Sequence, residues 1–124
     1  MKRTRLIDLG VASYVPVWRQ QEELHNEIIA AKLRGEETGN CMMFVEHNHV
    51  YTLGKSGNEA NMLVSAIQLQ AAHAEFVKVN RGGDITYHGP GQLVVYPIID
   101  MANFGVGVKE YVDLLEELVI RTVG

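Results

Sequence analysis

Arg81-Gly82-Gly83-Asp84-Ile85-Thr86-Tyr87-His88-Gly89-Pro90-Gly91-Gln92 places a permanent cation, four glycines, a hydroxyl, an imidazole and a proline in twelve consecutive residues, and the apolar run Leu93 to Ile99 follows at once. So few apolar side chains make poor core but a good ligand cradle. Pro90 fixes its own φ between two permissive glycines, so Gly89-Pro90-Gly91 reads as a rigid turn between extended segments. Asp84 to Tyr87 and Leu93 to Ile99 are therefore expected to form an antiparallel pair joined at this corner, with its polar groups converging on one point. Gly82 and Gly83 let the backbone approach a ligand with no Cβ in the way. Arg81 adds a planar fork of donors suited to a carboxylate, a phosphate or a polarised carbonyl.

A chain of 124 residues and 13.8 kDa is expected to form a single domain. Its formal charge of −4 supplies no phosphate-neutralising excess, which argues against nucleic-acid binding. No apolar run approaches the ~20 residues of a membrane span, and the start of the chain lacks the apolar stretch of a signal peptide, so a cytoplasmic protein without membrane contact is expected. A single cysteine, Cys41, excludes an internal disulfide.

The periodicities predict an α+β fold, a mixed β-sheet with flanking helices. Arg5 to Leu9 reads as a short strand and Ser13 as the N-cap of a helix from about Val15 to Leu33, with Pro16 tolerated in its first turn. Val17, Leu24, Ile28 and Ala31 form the buried stripe of that helix. Cys41 to Glu46, Tyr51 to Leu53 and Glu75 to Val79 read as strands, and Ser65 to Ala72 as a short helix. Leu93 to Ile99 carries apolar residues on both faces, which implies burial on both sides, with Pro97 at an unpaired or bulged position. A last helix, about Val108 to Val123, has Val108, Val112, Leu115, Val119 and Thr122 as its expected inner stripe.

From Arg81 to Pro97 the sequence reads R-G-G-x-x-T-Y-H-G-P-G-Q-x-V-x-Y-P, which resembles the signature of the lipoyl(octanoyl) transferases. Glu46 to Gly54 resembles that family's E-H-x-x-V-Y-T-L-G segment and Asn61-Met62-Leu63 its N-x-L, while Tyr14, Trp18 and Gln20-Gln21 sit where its first helix begins. The resemblance implies the fold of the biotin and lipoate ligases, which is class II synthetase-like. It further implies transfer of an octanoyl group from octanoyl-acyl carrier protein to a lysine of lipoyl domains, those of the 2-oxoacid dehydrogenases and the glycine cleavage H protein, with no cofactor. By the same resemblance Arg81, Gly82, Gly83, Asp84, Ile85, Thr86, Tyr87 and His88 bind the substrate: Arg81 orients the loop or the carrier's phosphopantetheine arm, the glycine amides approach the acyl carbonyl, and Tyr87 walls the acyl tunnel. His88 either bonds within the site or clasps the turn.

Acyl transfer from thioester to amine is well served by a cysteine nucleophile activated by a lysine. In the family these residues lie in P-C-G and K-I-A-x-I-G segments downstream of the R-G-G motif, and neither segment occurs here. The resemblance thus implies residues 1–124 as the N-terminal portion of a C-terminally incomplete catalytic domain. No catalytic residue is assigned within the chain, the cysteine and lysine being expected beyond Gly124, and the isolated chain is expected to be inactive. Cys41, in an apolar strand, reads as an inert core residue, and the lysines have no motif-based claim, Lys55 coming nearest. His47 and His49, at alternate positions of an extended segment, face one side. With His88 they still lack the further ligands of a tetrahedral zinc site, so no metal is expected; the resemblance implies instead that Glu46 and His47 bind to the cleft wall.

Two other readings compete. An ATP-dependent lipoate-protein or biotin-protein ligase shares the fold but not the T-Y-H-G-P-G-Q-x-V-x-Y-P continuation. A non-catalytic binding half or pseudoenzyme accounts for the missing dyad, and such a chain should expose strand edges and apolar surface and so associate or be marginally stable.

Overall fold

A computed structural model describes residues 3–55, 57, 68, 73–79 and 81–124. The expected helix from Ser65 to Ala72 and the Asn61-Met62-Leu63 segment lie outside the described residues. The fold is α+β, as its period-2 and helical segments require.

Strand β1 (Thr4–Ala12), helix α1 (Tyr14–Leu33) and strand β2 (Asn40–His47) form a β-α-β unit in which β1 and β2 run parallel, with a register shift between Asp8 and Gly10. Ser13 stands at the N-cap in extended conformation, although its side chain makes no capping bond. Pro16 is the third residue of α1, where its missing N–H deprives no carbonyl of a partner. The predicted stripe turns inward: Val17 is buried, Leu24 packs on the core, and Ile28 and Ala31 are half-buried. Strict alternation buries Cys41, Met43, Val45 and His47 on the helix side of β2. Cys41 is thus a core residue, as expected.

Past β2, strand β3 (Val50–Leu53) leads to β4 (Glu75–Lys78), β5 (Ile85–His88) and β6 (Leu93–Ile98). The strands form two three-stranded sheets, β1-β2-β6 and β4-β3-β5. The expected pairing across the Gly-Pro-Gly corner is therefore overturned: β5 lies antiparallel to β3, whereas β6 lies antiparallel to β2. The corner carries the chain from one sheet to the other, since partner strands already waiting in each sheet offered more pairing than a short hairpin.

Burial of β6 on both faces is likewise not observed. Val94, Tyr96 and Ile98 pack on the core, but Leu93 is 69% and Val95 38% exposed. Pro97 falls opposite Met42 in unbroken register, and it is tolerated because, among the described residues, β6 is the last strand of its sheet.

Beyond β6, Asp100 caps a 3-10 turn (Met101–Phe104) and accepts from the Ala102 amide at 3.1 Å. Its carboxylate also accepts from Thr38 Oγ1 at 2.7 Å and Lys32 Nζ at 3.0 Å. The buried Asn40 joins in: its Oδ1 accepts from the Asp100 amide at 3.1 Å and from Asn103 Nδ2 at 3.2 Å. This knot ties the end of α1, the start of β2 and the end of β6 together. Helix α2 (Val108–Val123) corrects another expectation, for Val108, Val112, Val119 and Thr122 are all exposed and only Tyr111 and Leu115 are half-buried.

Candidate functional site

The cradle sequence 81–92 sits where the two sheets meet, and it is open to solvent: Gly82, Gly83, Thr86, Tyr87, Pro90, Gly91 and Gln92 are exposed. Its first part is braced from within. Arg81 donates from Nη2 to the Thr52 carbonyl at 2.7 Å, to Thr52 Oγ1 at 2.9 Å and to the Asp84 carbonyl at 3.1 Å, and from Nη1 to the Gly82 carbonyl at 2.7 Å. The guanidinium is thus largely occupied in folding its own loop against β3. Gly83 takes φ +87°, a left-handed turn that disfavours any side chain.

Gly54 is the counterpart of this brace on β3. Its amide donates to the Asp84 carbonyl at 2.7 Å. A Cβ on it would lie 2.4 Å from the Gly83 carbonyl oxygen, so the glycine of Y-T-L-G is what lets the R-G-G loop close. The neighbouring Lys55 amide donates to the Arg81 carbonyl at 2.9 Å, a backbone role.

Alternation along β5 divides the remaining residues. Ile85 and Tyr87 point to one face and Thr86 and His88 to the other. Tyr87 stands opposite Tyr51, ring centroids 5.1 Å apart, and its hydroxyl hydrogen-bonds His49 Nδ1. Gly89 beside it has no Cβ because that hydroxyl occupies the space. On the other face lie Thr52, opposite Thr86, and His88. The eight expected residues therefore do not converge on a single point: Arg81, Thr86 and His88 share one face, and Tyr87 belongs to the other.

His88 meets the second half of the site. It is half-buried, its Nδ1 lies 2.7 Å from Gln92 Oε1, and its ring stacks on Tyr14 with centroids 6.2 Å apart and planes 13° from parallel. Beneath them is His47, fully buried, with Nδ1 2.8 Å from the Ala12 carbonyl and Nε2 2.9 Å from the Tyr96 hydroxyl. Burial holds the His47 pKa below the usual histidine value, against the raising effect of the Ala12 carbonyl. Burial likewise raises the Tyr96 and Tyr14 hydroxyls, so both phenols stay protonated. Glu46, next to His47, reaches the other way and accepts from the Gly91 amide at 2.6 Å. The expected shared face for His47 and His49 is not observed: one ring is sealed in the core against Ala12 and Tyr96, the other bonds Tyr87.

Several of these partners fall inside the quoted motifs without showing there what they bond. Thr52 receives Arg81 and Tyr96 anchors His47, yet a threonine or tyrosine in a strand reads as ordinary β-type filling. The available hints were the motif positions themselves, Thr52 and Gly54 in V-Y-T-L-G and Tyr96 before Pro97, and the period that puts Thr52 and Gly54 on the same face of one extended segment.

The family model described as the lipoyl protein ligase A/B catalytic domain matches residues 13–124. The chain belongs to that family. Among its relatives, the octanoyltransferase of Flavobacterium johnsoniae is 52% identical over 128 residues, which cover 98% of this chain and 55% of that protein. The octanoyltransferase of Bacteroides thetaiotaomicron is 50% identical over 119 residues, 96% of this chain and 52% of that protein. The chain thus spans about half the length of the curated relatives it matches. In fold it is similar to a P. falciparum protein crystallised in complex with lipoate, with a TM-score of 0.54 at 13% identity over 75% of this chain and 29% of that one. A bi-partite lipoate protein ligase from Thermoplasma acidophilum gives 0.50 at 16% identity over 78% of this chain and 36% of that one. These likenesses place the two sheets and their helices within the lipoate ligase fold.

Proposed function

We propose that this chain forms the acyl-cradling part of an octanoyltransferase of lipoate biosynthesis, which moves an octanoyl group from acyl carrier protein to a lysine of lipoyl domains. The observation that supports it best is the similarity, at about half of all positions and over nearly the whole chain, to proteins named octanoyltransferase. The acceptors would be the lipoyl domains of the 2-oxoacid dehydrogenases and the glycine cleavage H protein, and the compartment the cytoplasm. Among the described residues no helix is long and apolar enough to cross a membrane.

In this reading Arg81, Gly82, Gly83, Asp84, Ile85, Thr86, Tyr87 and His88 bind the donor. The exposed Gly82 and Gly83 amides donate to the acyl carbonyl, where negative charge gathers as the thioester is attacked. Arg81 keeps those amides in place through Thr52, and Thr86 and His88 line the same face, with Tyr87 as the wall on the far side of β5. A cysteine thiolate supplied outside these residues attacks the thioester carbon and releases the carrier thiol. The lysine amine then attacks the resulting enzyme thioester, releasing the cysteine sulfur and losing a proton to the activating lysine. The donor is already an activated acyl group, so the reaction calls for no nucleotide.

The test is octanoyl transfer from acyl carrier protein to a lipoyl domain. This chain alone is expected to give none, and addition of the second half of the Flavobacterium johnsoniae protein is expected to restore it without ATP. Turnover by the chain alone, or dependence on ATP and free acid, would contradict the proposal.

A further inference from the structure

We infer that His47 is a positioning residue, which sets the ring of His88 at the acyl site by direct contact and through Ala12 and Tyr14. The inference rests on the reading of residues 81–88 as that site. A carbonyl oxygen can only accept, so the 2.8 Å contact with Ala12 requires N–H at His47 Nδ1. The ring is sealed from water and neutral, so Nε2 carries the lone pair and Tyr96 donates to it. Both nitrogens are thereby committed, and a flipped ring would set C–H groups against two buried polar atoms.

Ala12 ends β1 two residues before Tyr14 opens α1. The bond from His47 to Ala12 fixes this junction, and the Tyr14 ring that follows it lies 5.3 Å from His47 and stacks on His88, while the His47 and His88 rings are themselves 5.9 Å apart, so the three rings touch one another. His88 is then held twice. Tyr14 sets its plane, and Gln92 Oε1, an amide oxygen that can only accept, requires N–H at His88 Nδ1. With the Nδ1 proton given to Gln92, Nε2 is the ring nitrogen that meets no hydrogen-bond partner among the described residues. It is a fixed polar atom at the cradle, placed to hydrogen-bond the carrier's pantetheine arm.

The experiment is ¹⁵N- and ¹³C-histidine NMR of the 124-residue chain, read together with the affinity for octanoyl-pantetheine. The unsubstituted chain should show His47 in the neutral Nδ1–H form and a proton on His88 Nδ1, with His88 carbon-bound protons shifted by the Tyr14 ring current. Tyr14→Leu should abolish that shift and weaken binding about tenfold, and Tyr14→Phe, which keeps the ring, should restore both. His47→Ala should lose the shift and His47→Asn, which keeps an N–H for Ala12, should retain it. A His47 ring in the Nε2–H or charged form would overturn the inference. So would a His88 shift that survives both His47→Ala and Tyr14→Leu, and the His47 tautomer in the unsubstituted chain decides the matter even if the histidine variants fail to fold. Loss of the NMR coupling counts against the positioning role alone. Failure of the unsubstituted chain to bind the thioester, with the coupling intact, counts against the acyl-site reading instead.

Discussion

Glu46 Oε1 lies 2.6 Å from the backbone nitrogen of Gly91, so the end of β2 holds the far side of the Gly-Pro-Gly corner. Because the two flanking strands belong to different sheets, this bond fixes the angle at which one sheet hands the chain to the other. Glu46→Ala should cost about 1 kcal/mol of stability, and Glu46→Gln, still an acceptor, much less. Urea unfolding measures both, and equal effects would show that the bond does not matter.

Gly54→Ala should be far more damaging. Its Cβ would meet three groups of the R-G-G loop within 3.0 Å, two of them backbone carbonyls that cannot move aside without undoing the Arg81 brace. A loss of about 3 kcal/mol is expected, together with loss of thioester binding. Gly39→Ala is the control: among the described residues nothing lies within 4 Å of its Cβ position, and a change of no more than about 0.5 kcal/mol is expected.

The Asp100 knot should make stability fall in acid. The Thr38 hydroxyl and then the Lys32 ammonium hold its carboxyl below the usual range. A carboxylate with a depressed folded pKa contributes stability that is fully present above its unfolded pKa of about 3.9 and disappears as pH drops through the folded value. Asp100→Asn should lower stability at pH 7 and flatten its decline below about pH 4. Thermal unfolding from pH 7 to 3 tests this, and parallel curves for the two proteins would contradict it.

Helix α2 turns Val108, Val112, Val119 and Thr122 to solvent, and Leu93 with Val95 adds apolar surface on β6. Patches of this kind drive association. Sedimentation velocity should show concentration-dependent self-association, reduced by Val112→Lys with Val119→Lys while helix content is unchanged. A monomer at all concentrations would refute the prediction.

Much of this architecture was legible in the residues themselves. The α1 stripe, the β2 alternation and the inert setting of Cys41 follow from periodicity, because each is fixed by one segment packing on one core. What periodicity could not supply was partnership. The residues of β5 and β6 are equally good strands whether paired with each other or with β3 and β2, and only tertiary assembly decides. The apolar stripe of α2 gives the same signal whether or not something covers it. At the site, the motifs disclosed Arg81, His88 and Glu46, but Thr52, Tyr96 and Gln92 became visible as their partners only once the strands were in register.

The central claim is that the open corner from Arg81 to His88 receives a medium-chain acyl thioester. Its most direct test is titration of the ¹⁵N-labelled chain with octanoyl-pantetheine. Saturable amide shifts should centre on Gly82, Gly83, Thr86 and His88 and extend to Thr52 and Gly54, leaving the Asp100 knot unmoved. Shifts confined to the apolar face of α2, or unsaturable shifts spread over the whole chain, would contradict it.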